Sequence, residues 1–264
     1  MVKLIDGKKI AEKIKDEITQ EVFSLKGVRP NLAIILVGER EDSKLYVSLK
    51  EKEGKKIGID THLYSLESDT SEKDLLQVIE FLNQDNLIDG ILIQLPLPKK
   101  FNTDKIISAI NPEKDVDGFH PRKPDYIKSP VLLSVLACLD EIKMKGDKKA
   151  ACILRNSEVF EQGIIKDLKG RGFSFCEKNE SYKADLLITA LGSPHVIKRN
   201  MIKEGAVIVD IGITKKDKKV YGDVDFDDVK DKAGYITPVP GGIGPMTIAF
   251  LFKNVLEIFK RKSE

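Results

Sequence analysis

Residues 184–191 read ADLLITAL, and residues 206–213 read AVIVDIGI. Each stretch is almost continuously apolar and lacks the polar alternation of a strand that has one face in water. A continuously apolar strand fits a parallel sheet that helices cover on both faces. These two stretches therefore predict an α/β fold with a parallel sheet.

The same alternation of strands and helices continues outward from these two strands. The first predicted helix has apolar residues at helical spacing, namely Ile10, Ile14, Ile18 and Val22, and Ser71 is the predicted N-cap of a later helix. Further strands are predicted at 31–38, 59–66, 90–98, 150–155 and 173–176. Helices are predicted at 8–26, 42–56, 71–84, 130–143, 159–170 and 246–262.

The elements form two series, which predict two domains. An N-terminal α/β domain of residues 1–120 is followed by a Rossmann-like nucleotide-binding domain of residues 121–245. The C-terminal helix, 246–264, is expected to pack back on the first domain, because it follows a loop rather than a strand.

Composition and charge disfavour several classes of function. The 264 residues are 41% hydrophobic and 33% charged, which is typical of a globular protein. Lys and Arg number 44 against 42 Asp and Glu, so we expect binding to neither nucleic acid nor membranes. The start, MVKLIDGKKI, has no apolar region of a secretory signal, and the cysteines Cys138, Cys152 and Cys176 show no CxxC spacing. We expect a cytoplasmic protein without a metal site.

Three patterns place polar residues where chemistry is possible. Gln94 stands at the end of a predicted strand, the place where open parallel sheets bind ligands. Asp115 and Asp117 surround an Asp-Gly turn, and Tyr46 and Lys50 share one helix face at i, i+4 spacing. For these last two patterns, a solvated turn and an exposed helix face are the ordinary alternatives.

Residues 237–247 read TPVPGGIGPMT, with three prolines and three glycines in eleven positions. Proline fixes φ and glycine permits φ values that are closed to other residues, so this stretch specifies one unusual loop shape. Its X-Pro bonds, Thr237-Pro238 and Val239-Pro240, are candidates for a cis peptide.

Four motifs occur together in one order. They are YVSLK (46–50), QLPLP (94–98), KDVDG (114–118) and TPVPGGIGPMT (237–247). With GDVDF (222–226), this series resembles the methylenetetrahydrofolate dehydrogenase/methenyltetrahydrofolate cyclohydrolase family, the FolD-like bifunctional enzymes. The resemblance covers most of the chain and implies a cleft between the two domains in which a reduced folate binds.

The resemblance implies roles for individual residues. Lys50 is the implied acid–base group, and Gln94 positions it. Tyr46 borders the pterin and aminobenzoate, and Asp117 hydrogen-bonds the pterin edge. The other implied folate contacts are Val47, Leu95, Pro96, Pro238, Gly241 and Gly242.

The implied chemistry has two steps. Oxidation of 5,10-methylenetetrahydrofolate transfers a hydride to NADP⁺, with NAD⁺ as the alternative, and leaves the methenyl cation. Addition of water and cleavage of a C–N bond then give 10-formyltetrahydrofolate. A lysine with a lowered pKa suits the second step, because it takes a proton from water and returns it to the leaving nitrogen.

The match to the family weakens in the second domain. The family's phosphate loop, Gly-Arg-Ser-x-x-Val-Gly-x-Pro, corresponds here to LRNSEVFEQ at 154–162. Leu154 and Phe160 stand where glycines belong, and Glu158 and Glu161 add negative charge. We expect these side chains to oppose a pyrophosphate, which needs close approach of backbone N–H groups.

Other features still favour a nicotinamide cofactor. Arg155 and Lys178 favour the 2′-phosphate of NADP, although solvated surface charge is an equal alternative for both. Glu177 instead favours a ribose diol and NAD. The implied cofactor contacts are Arg155, Asn156, Lys178, Gly192, Pro194, Gly212 and Ile213.

Three functions therefore stay open. The first is an enzyme with both activities, and the second is a cyclohydrolase whose dehydrogenase is weakened or lost. The third is a non-catalytic folate-binding protein, which the presence of Lys50 and Asp117 disfavours. The resemblance further implies a homodimer and a place in one-carbon metabolism that serves purine biosynthesis.

Overall fold

The computed structural model describes residues 2–156, 158–217 and 219–262, except the side chains of residues 158–161. In chain order its elements are β1 (Lys3–Leu4), α1 (Gly7–Ser24), β2 (Asn31–Val37), α2 (Glu41–Ile57), β3 (Asp60–Leu66), α3 (Glu72–Gln84), β4 (Gly90–Ile93), α4 (Thr103–Ser108), α5 (Pro130–Glu141), β5 (Ala150–Arg155), α6 (Glu158–Gly170), β6 (Ser174–Phe175), β7 (Leu186–Ala190), β8 (Val207–Asp210), β9 (Thr214–Lys216), β10 (Lys219–Tyr221), α7 (Phe226–Val229), β11 (Tyr235–Ile236) and α8 (Ile243–Lys262). Short 3₁₀ helices cover Lys178–Lys183 and Arg199–Met201.

The chain forms two compact units. The three-stranded unit consists of Glu12–Pro130 and Ile248–Glu264, and the six-stranded unit consists of Met1–Ala11 and Val131–Thr247. The division falls within α1 and α8, so each of these helices contributes residues to both units.

In the three-stranded unit, β2 lies between β3 and β4, and both pairings are parallel. Residues 32–37 of β2 are all buried, as expected for a central strand that is covered on both faces. One face packs Ala33 and Ile35 with Leu75 and Ile79 of α3. The predicted N-cap of α3 is confirmed, since the Ser71 side chain accepts a hydrogen bond from the Asp74 N–H at 3.1 Å.

The six-stranded unit has the strand order β1-β11-β8-β7-β5-β6, and every pairing is parallel. Its buried cluster includes Cys152 and Leu154 from β5, Leu187 from β7 and Ile208 from β8. The order reverses at β5, because the chain first adds β6 on one side and then β7 on the other. Such a switch point is where open α/β sheets bind ligands, at the carboxyl ends of the strands.

Several short elements were not predicted from the sequence. These are the two-residue strands β1 and β11, the antiparallel β9–β10 hairpin, and the short helices α4 and α7. They are too short to show a hydrophobic period. The predicted strand 90–98 ends at Ile93 instead, because prolines follow at 96 and 98 and proline has no N–H for a sheet ladder.

The proline- and glycine-rich loop folds onto the start of α1. Val239–Pro240 is a cis peptide, Gly241 has φ +110°, and the Lys8 N–H donates to the Gly241 carbonyl at 3.1 Å. A Cβ on Gly7 would lie 1.9 Å from the Gly242 carbonyl oxygen. The two backbones therefore touch at a point where only glycine fits.

This close approach predicts that Gly7→Ala destabilises the protein. The added methyl group meets backbone rather than a movable side chain, so we expect a loss of about 1–3 kcal/mol in the free energy of unfolding. Gly170→Ala is the matched control, because a Cβ there has nothing within 4 Å. Denaturant unfolding of both variants gives the comparison, and a Gly7 variant as stable as the wild type would contradict the contact.

Candidate active site

Two residues from the sequence analysis meet at the end of β4. Lys50 lies on α2, and its Nζ donates a hydrogen bond to Gln94 Oε1 at 2.7 Å. Gln94 Nε2 in turn donates to the Leu95 carbonyl at 2.7 Å, which fixes the amide so that its oxygen faces the lysine. The Gln94 N–H continues the sheet ladder to the Ile35 carbonyl at 2.9 Å. The sheet thus holds the backbone of Gln94, and the Leu95 carbonyl holds the carboxamide that contacts Lys50.

Burial lowers the pKa of Lys50 below its ordinary value of 10.5, and the charge of Asp117 opposes this shift. The effect of burial prevails because the hydrogen-bond partner at 2.7 Å is a neutral amide and not a carboxylate. Lys50 therefore loses its proton more easily than an ordinary lysine, and the resulting uncharged amine can accept a proton.

Asp117 interacts electrostatically with this lysine. Burial raises the pKa of Asp117 to about 7, Lys50 opposes the shift, and Asp115 adds to it. The carboxyl of Asp117 therefore changes charge near neutral pH. Lys50, Gln94 and Asp117 form one polar group within the three-stranded unit.

The other residues of KDVDG hold the turn that carries Asp117. Lys114 Nζ donates to the carbonyls of Leu82, Asn83 and Asp85 at 2.8–3.0 Å, at the end of α3. These contacts satisfy carbonyls that a helix end leaves without partners. Lys114 is thus part of the scaffold, although its motif pointed to chemistry.

Asp115 is also a scaffold residue. It is buried, and its side chain accepts backbone N–H groups of Asp117 at 3.2 Å and His120 at 2.6 Å. Gly118 has φ +66°, and a Cβ there would lie 2.9 Å from the Ser129 nitrogen. The alternative of a solvated turn is therefore wrong for Asp115, which is an internal hydrogen-bond acceptor.

The remaining predicted folate contacts in this unit differ in exposure. Tyr46 is half-buried one turn before Lys50, and burial, with a smaller effect of Asp42, raises its pKa. Val47 packs its side chain into the core. Leu95 is half-buried, and Pro96 is exposed and follows a cis peptide.

Pro238, Gly241 and Gly242 belong to the six-stranded unit. Pro238 is half-buried, whereas both glycines are buried. A Cβ on Gly242 would lie 2.7 Å from the Pro238 carbonyl oxygen, so the loop is tightly folded. Thr237 anchors it, because the Asp210 N–H donates to Thr237 Oγ1 at 2.8 Å.

The switch point of the six-stranded sheet brings together three of the predicted cofactor residues. Arg155 ends β5, Asn156 follows it, and Asn156 Nδ2 donates to the Leu191 carbonyl at 2.6 Å just after β7. Gly192 comes next, with φ +64° and nothing within 4 Å of a would-be Cβ. Lys178 is exposed and begins the 3₁₀ helix after β6, the neighbour of β5.

Two buried carboxylates shape the neighbouring strand ends. Asp223 accepts the Thr189 hydroxyl at 2.8 Å and the N–H groups of Leu191 at 2.6 Å and Ser193 at 2.9 Å. Asp210 accepts the N–H groups of Gly212, Asp223 and Val224. Burial raises the pKa of Asp210 to about 6, although these hydrogen bonds lower it.

The last predicted cofactor residues are Gly212, which lies against one of these carboxylates, and two exposed residues. A Cβ on Gly212 would be 2.2 Å from Asp223 Cγ. Any side chain at position 212 would therefore clash with the Asp223 carboxylate. Ile213 is 44% exposed, and Pro194 is also exposed. Both exposed residues are therefore accessible to a ligand.

The expectation that Leu154 opposes a phosphate is wrong. Leu154 is 7% exposed and packs in the same buried cluster as Cys152. Successive side chains of a strand point to opposite faces, so Leu154 shares the inward face with Cys152. The side chains of Glu158, Phe160 and Glu161 lie outside the described residues.

The described residues contain no cluster of three or more His, Cys, Asp or Glu that could hold a metal ion. None of the described helices is long and apolar enough to cross a membrane.

Comparisons with known proteins identify the family. Residues 5–117 match the tetrahydrofolate dehydrogenase/cyclohydrolase catalytic domain, and residues 133–263 match the NAD(P)-binding domain of the same family. This chain belongs to the tetrahydrofolate dehydrogenase/cyclohydrolase family.

Relatives in this family match over nearly the full length. A bifunctional protein FolD from Sulfurihydrogenibium sp. is 44% identical over 280 residues, with 98% of each chain covered. The crystal structure of FolD from Campylobacter jejuni has a TM-score of 0.92 at 36% identity and 99% coverage of both chains. Trypanosoma brucei FolD, complexed with NADP cofactor and inhibitor, has a TM-score of 0.93 at 29% identity, covering 100% of this chain and 99% of that one.

The predicted resemblance and the α/β fold are thus confirmed. The described residues also fit the NAD(P) of this family. The switch point is open beside Gly192, and the Asn156 carboxamide links the two strand ends that face it.

Sequence reasoning missed the scaffold roles of Asp210 and Asp223. Their spacing gives no sign that one carboxylate would serve strand ends more than 30 residues apart in sequence. A signal did exist for Asp115, because aspartate often accepts the N–H two residues later in a turn.

The raised pKa of Asp117 predicts how stability depends on pH. Between its ordinary value of 3.8 and about 7, the folded carboxyl holds a proton that the unfolded chain releases. The wild type therefore loses stability as pH rises through this window, and Asp117→Asn does not share that loss. We expect the melting temperature of Asp117→Asn to rise relative to the wild type from about pH 4 to about pH 7.

Thermal unfolding across this range measures the difference. Asp16→Asn is the control, because Asp16 is an exposed aspartate in the same unit. A constant offset between Asp117→Asn and the wild type across the window would contradict the assignment.

Proposed function

We propose that this chain oxidises 5,10-methylenetetrahydrofolate to 5,10-methenyltetrahydrofolate with NADP⁺ and hydrolyses the product to 10-formyltetrahydrofolate. The observation that carries this proposal is Lys50, whose pKa is lowered by burial, bonded to Gln94 beside Asp117. Family membership and the names of the bifunctional relatives support both activities.

Lys50 is the acid–base group for hydrolysis. As a neutral amine, it takes a proton from the water that adds to the methenyl carbon. The resulting ammonium returns that proton to the leaving nitrogen as the C–N bond breaks, and the hydroxyl proton of the water adduct is released to solvent as the formyl C=O forms. Both transfers are easier when the pKa of the lysine is close to the working pH, and a cationic substrate lowers that pKa further.

Gln94 positions this lysine. Its oxygen accepts one N–H of Lys50, so the lone pair of the neutral amine is directed away from the amide. Because the amide is neutral, it orients Lys50 without stabilising the ammonium form as a carboxylate would.

Asp117 binds the edge of the pterin, and Tyr46 borders the ring and the aminobenzoate. The side chain of Asp117 is partly accessible, and its two neighbours in the motif already supply the scaffold contacts. Further folate contacts are Val47, through its backbone, with Leu95, Pro96, Pro238, Gly241 and Gly242.

NADP⁺ supplies the hydride acceptor for the oxidation. We assign Arg155 and Lys178 to binding of its 2′-phosphate. Asn156 holds together the two strand ends at the switch point. Gly192, Pro194, Gly212 and Ile213 complete the surface that faces it. The burial of Leu154 removes one of the obstructions that favoured a cyclohydrolase without dehydrogenase activity.

We further propose that the functional domains are residues 1–120 with the helix 246–264, and residues 121–245. The two compact units support this division, except that Met1–Ala11 and residues 246–247 lie in the six-stranded unit and residues 121–130 lie in the three-stranded unit. By family expectation, the chain is a cytoplasmic homodimer that supplies one-carbon units for purine biosynthesis, without nucleic-acid or membrane partners. Sedimentation velocity should give twice the chain mass, and a single-chain mass at micromolar concentration would refute the dimer.

Lys50→Met tests the catalytic assignment. We expect hydrolysis of 5,10-methenyltetrahydrofolate to fall by about 10²–10⁴-fold, since that is the usual contribution of a positioned acid–base group. The measurement follows the loss of methenyl absorbance above the uncatalysed rate. Lys52→Met is the matched control, because Lys52 is exposed on the same helix.

A second assay on the wild type follows reduced cofactor with 5,10-methylenetetrahydrofolate and NADP⁺. Activity in both assays supports the bifunctional enzyme, whereas hydrolysis alone would favour the monofunctional cyclohydrolase. Unchanged hydrolysis in folded Lys50→Met would remove Lys50 from the mechanism.

A further inference from the structure

The turn that carries Asp117 is hydrogen-bonded to a side chain of α8, far away in the sequence. Asn254, on α8, is 5% exposed, and its Nδ2 donates to the Val116 carbonyl at 2.8 Å and to the Lys128 carbonyl at 2.9 Å. One carboxamide therefore joins two chain segments that lie on either side of Asp117 and Gly118.

These two segments are already in close contact. A Cβ on Gly118 would lie 2.9 Å from the Ser129 nitrogen and 3.1 Å from the Lys128 carbonyl carbon. The Val116 side chain packs over Gly90 of β4. A Cβ on Gly90 would lie 2.4 Å from Val116 Cγ1 and 3.4 Å from Val255 Cγ2 of α8. The residue before Asp117 is thus fixed by its side chain to β4 and by its carbonyl to α8.

We infer that Asn254 is a positioning residue that sets the orientation of Asp117 toward the bound substrate. This inference rests on the proposed folate function of Asp117. Without Asn254, the buried Val116 carbonyl and the partly buried Lys128 carbonyl lose this donor, and the peptide between Val116 and Asp117 is held at its N–H by Asp115 but no longer at its carbonyl by α8. A small displacement of a substrate-binding group is enough to lower activity by about 10²-fold.

Asn254→Leu is the main test variant, since leucine keeps the branched shape of asparagine and removes its N–H donors. Asn254→Ala is the second variant, in case leucine does not fit. Both are assayed for hydrolysis of 5,10-methenyltetrahydrofolate, with KM and kcat determined separately and with the melting temperature measured alongside.

We expect KM to rise at least about tenfold in the folded variants, because Asp117 contacts the substrate and does not exchange protons with it. Asn83→Ala is the matched control. Asn83 also bridges backbone groups in this unit, donating to the Ala109 carbonyl and accepting the Asn111 N–H, both at 2.8 Å. Its loss should lower the melting temperature and leave KM unchanged.

A double-variant cycle separates positioning from stability. In an Asp117→Asn background, Asn254→Leu should raise KM by less than about twofold, since the group that it positions is already altered. Unchanged KM in folded Asn254→Leu, or a full additional rise in the Asp117→Asn background, would overturn the inference. A wild type without hydrolytic activity would instead refute the proposed function itself.

Discussion

A partly buried lysine without a carboxylate at hydrogen-bond distance is the constraint on which the candidate site depends. Desolvation of an ammonium group is unfavourable, and the protein does not offset it with a close ion pair. Lys50 instead meets the neutral oxygen of Gln94, and Asp117 acts on it only through the electrostatic field. Both ionisable groups are thereby shifted toward their uncharged forms, and for Lys50 this is the form that takes a proton from water.

Maintaining that state needs a rigid framework, and buried polar side chains supply much of it. Asp115 holds the turn in the three-stranded unit, while Asp210 and Asp223 hold strand ends in the six-stranded unit. Each accepts backbone N–H groups that would otherwise be unsatisfied, which is the usual condition for burying a polar group. Among the acids described here, Asp117 differs because no backbone group occupies its carboxylate in this way.

The sequence allowed the fold class and the main polar residues to be predicted because those signals are local. Continuous apolar strands indicated a parallel sheet, and short motifs indicated Lys50, Gln94 and Asp117. The contacts that hold those residues could not be predicted, because they join distant positions. Asn254 lies 138 residues from Val116, and no spacing rule relates the two. Leu154 was misjudged for a related reason, since the direction of a side chain depends on the register of its strand.

The KDVDG turn has a consequence for how this enzyme can change. Lys114, Asp115 and Gly118 are committed to a helix end, an internal hydrogen-bond network and a left-handed backbone, so replacing any of them disturbs folding. Position 117 carries no such commitment. Substrate recognition can therefore be redesigned, or drift during evolution, at one position of the motif while its neighbours preserve the shape of the turn. Four residues of the five-residue motif therefore maintain the structure of the turn, and only the side chain at position 117 can be exchanged without altering it.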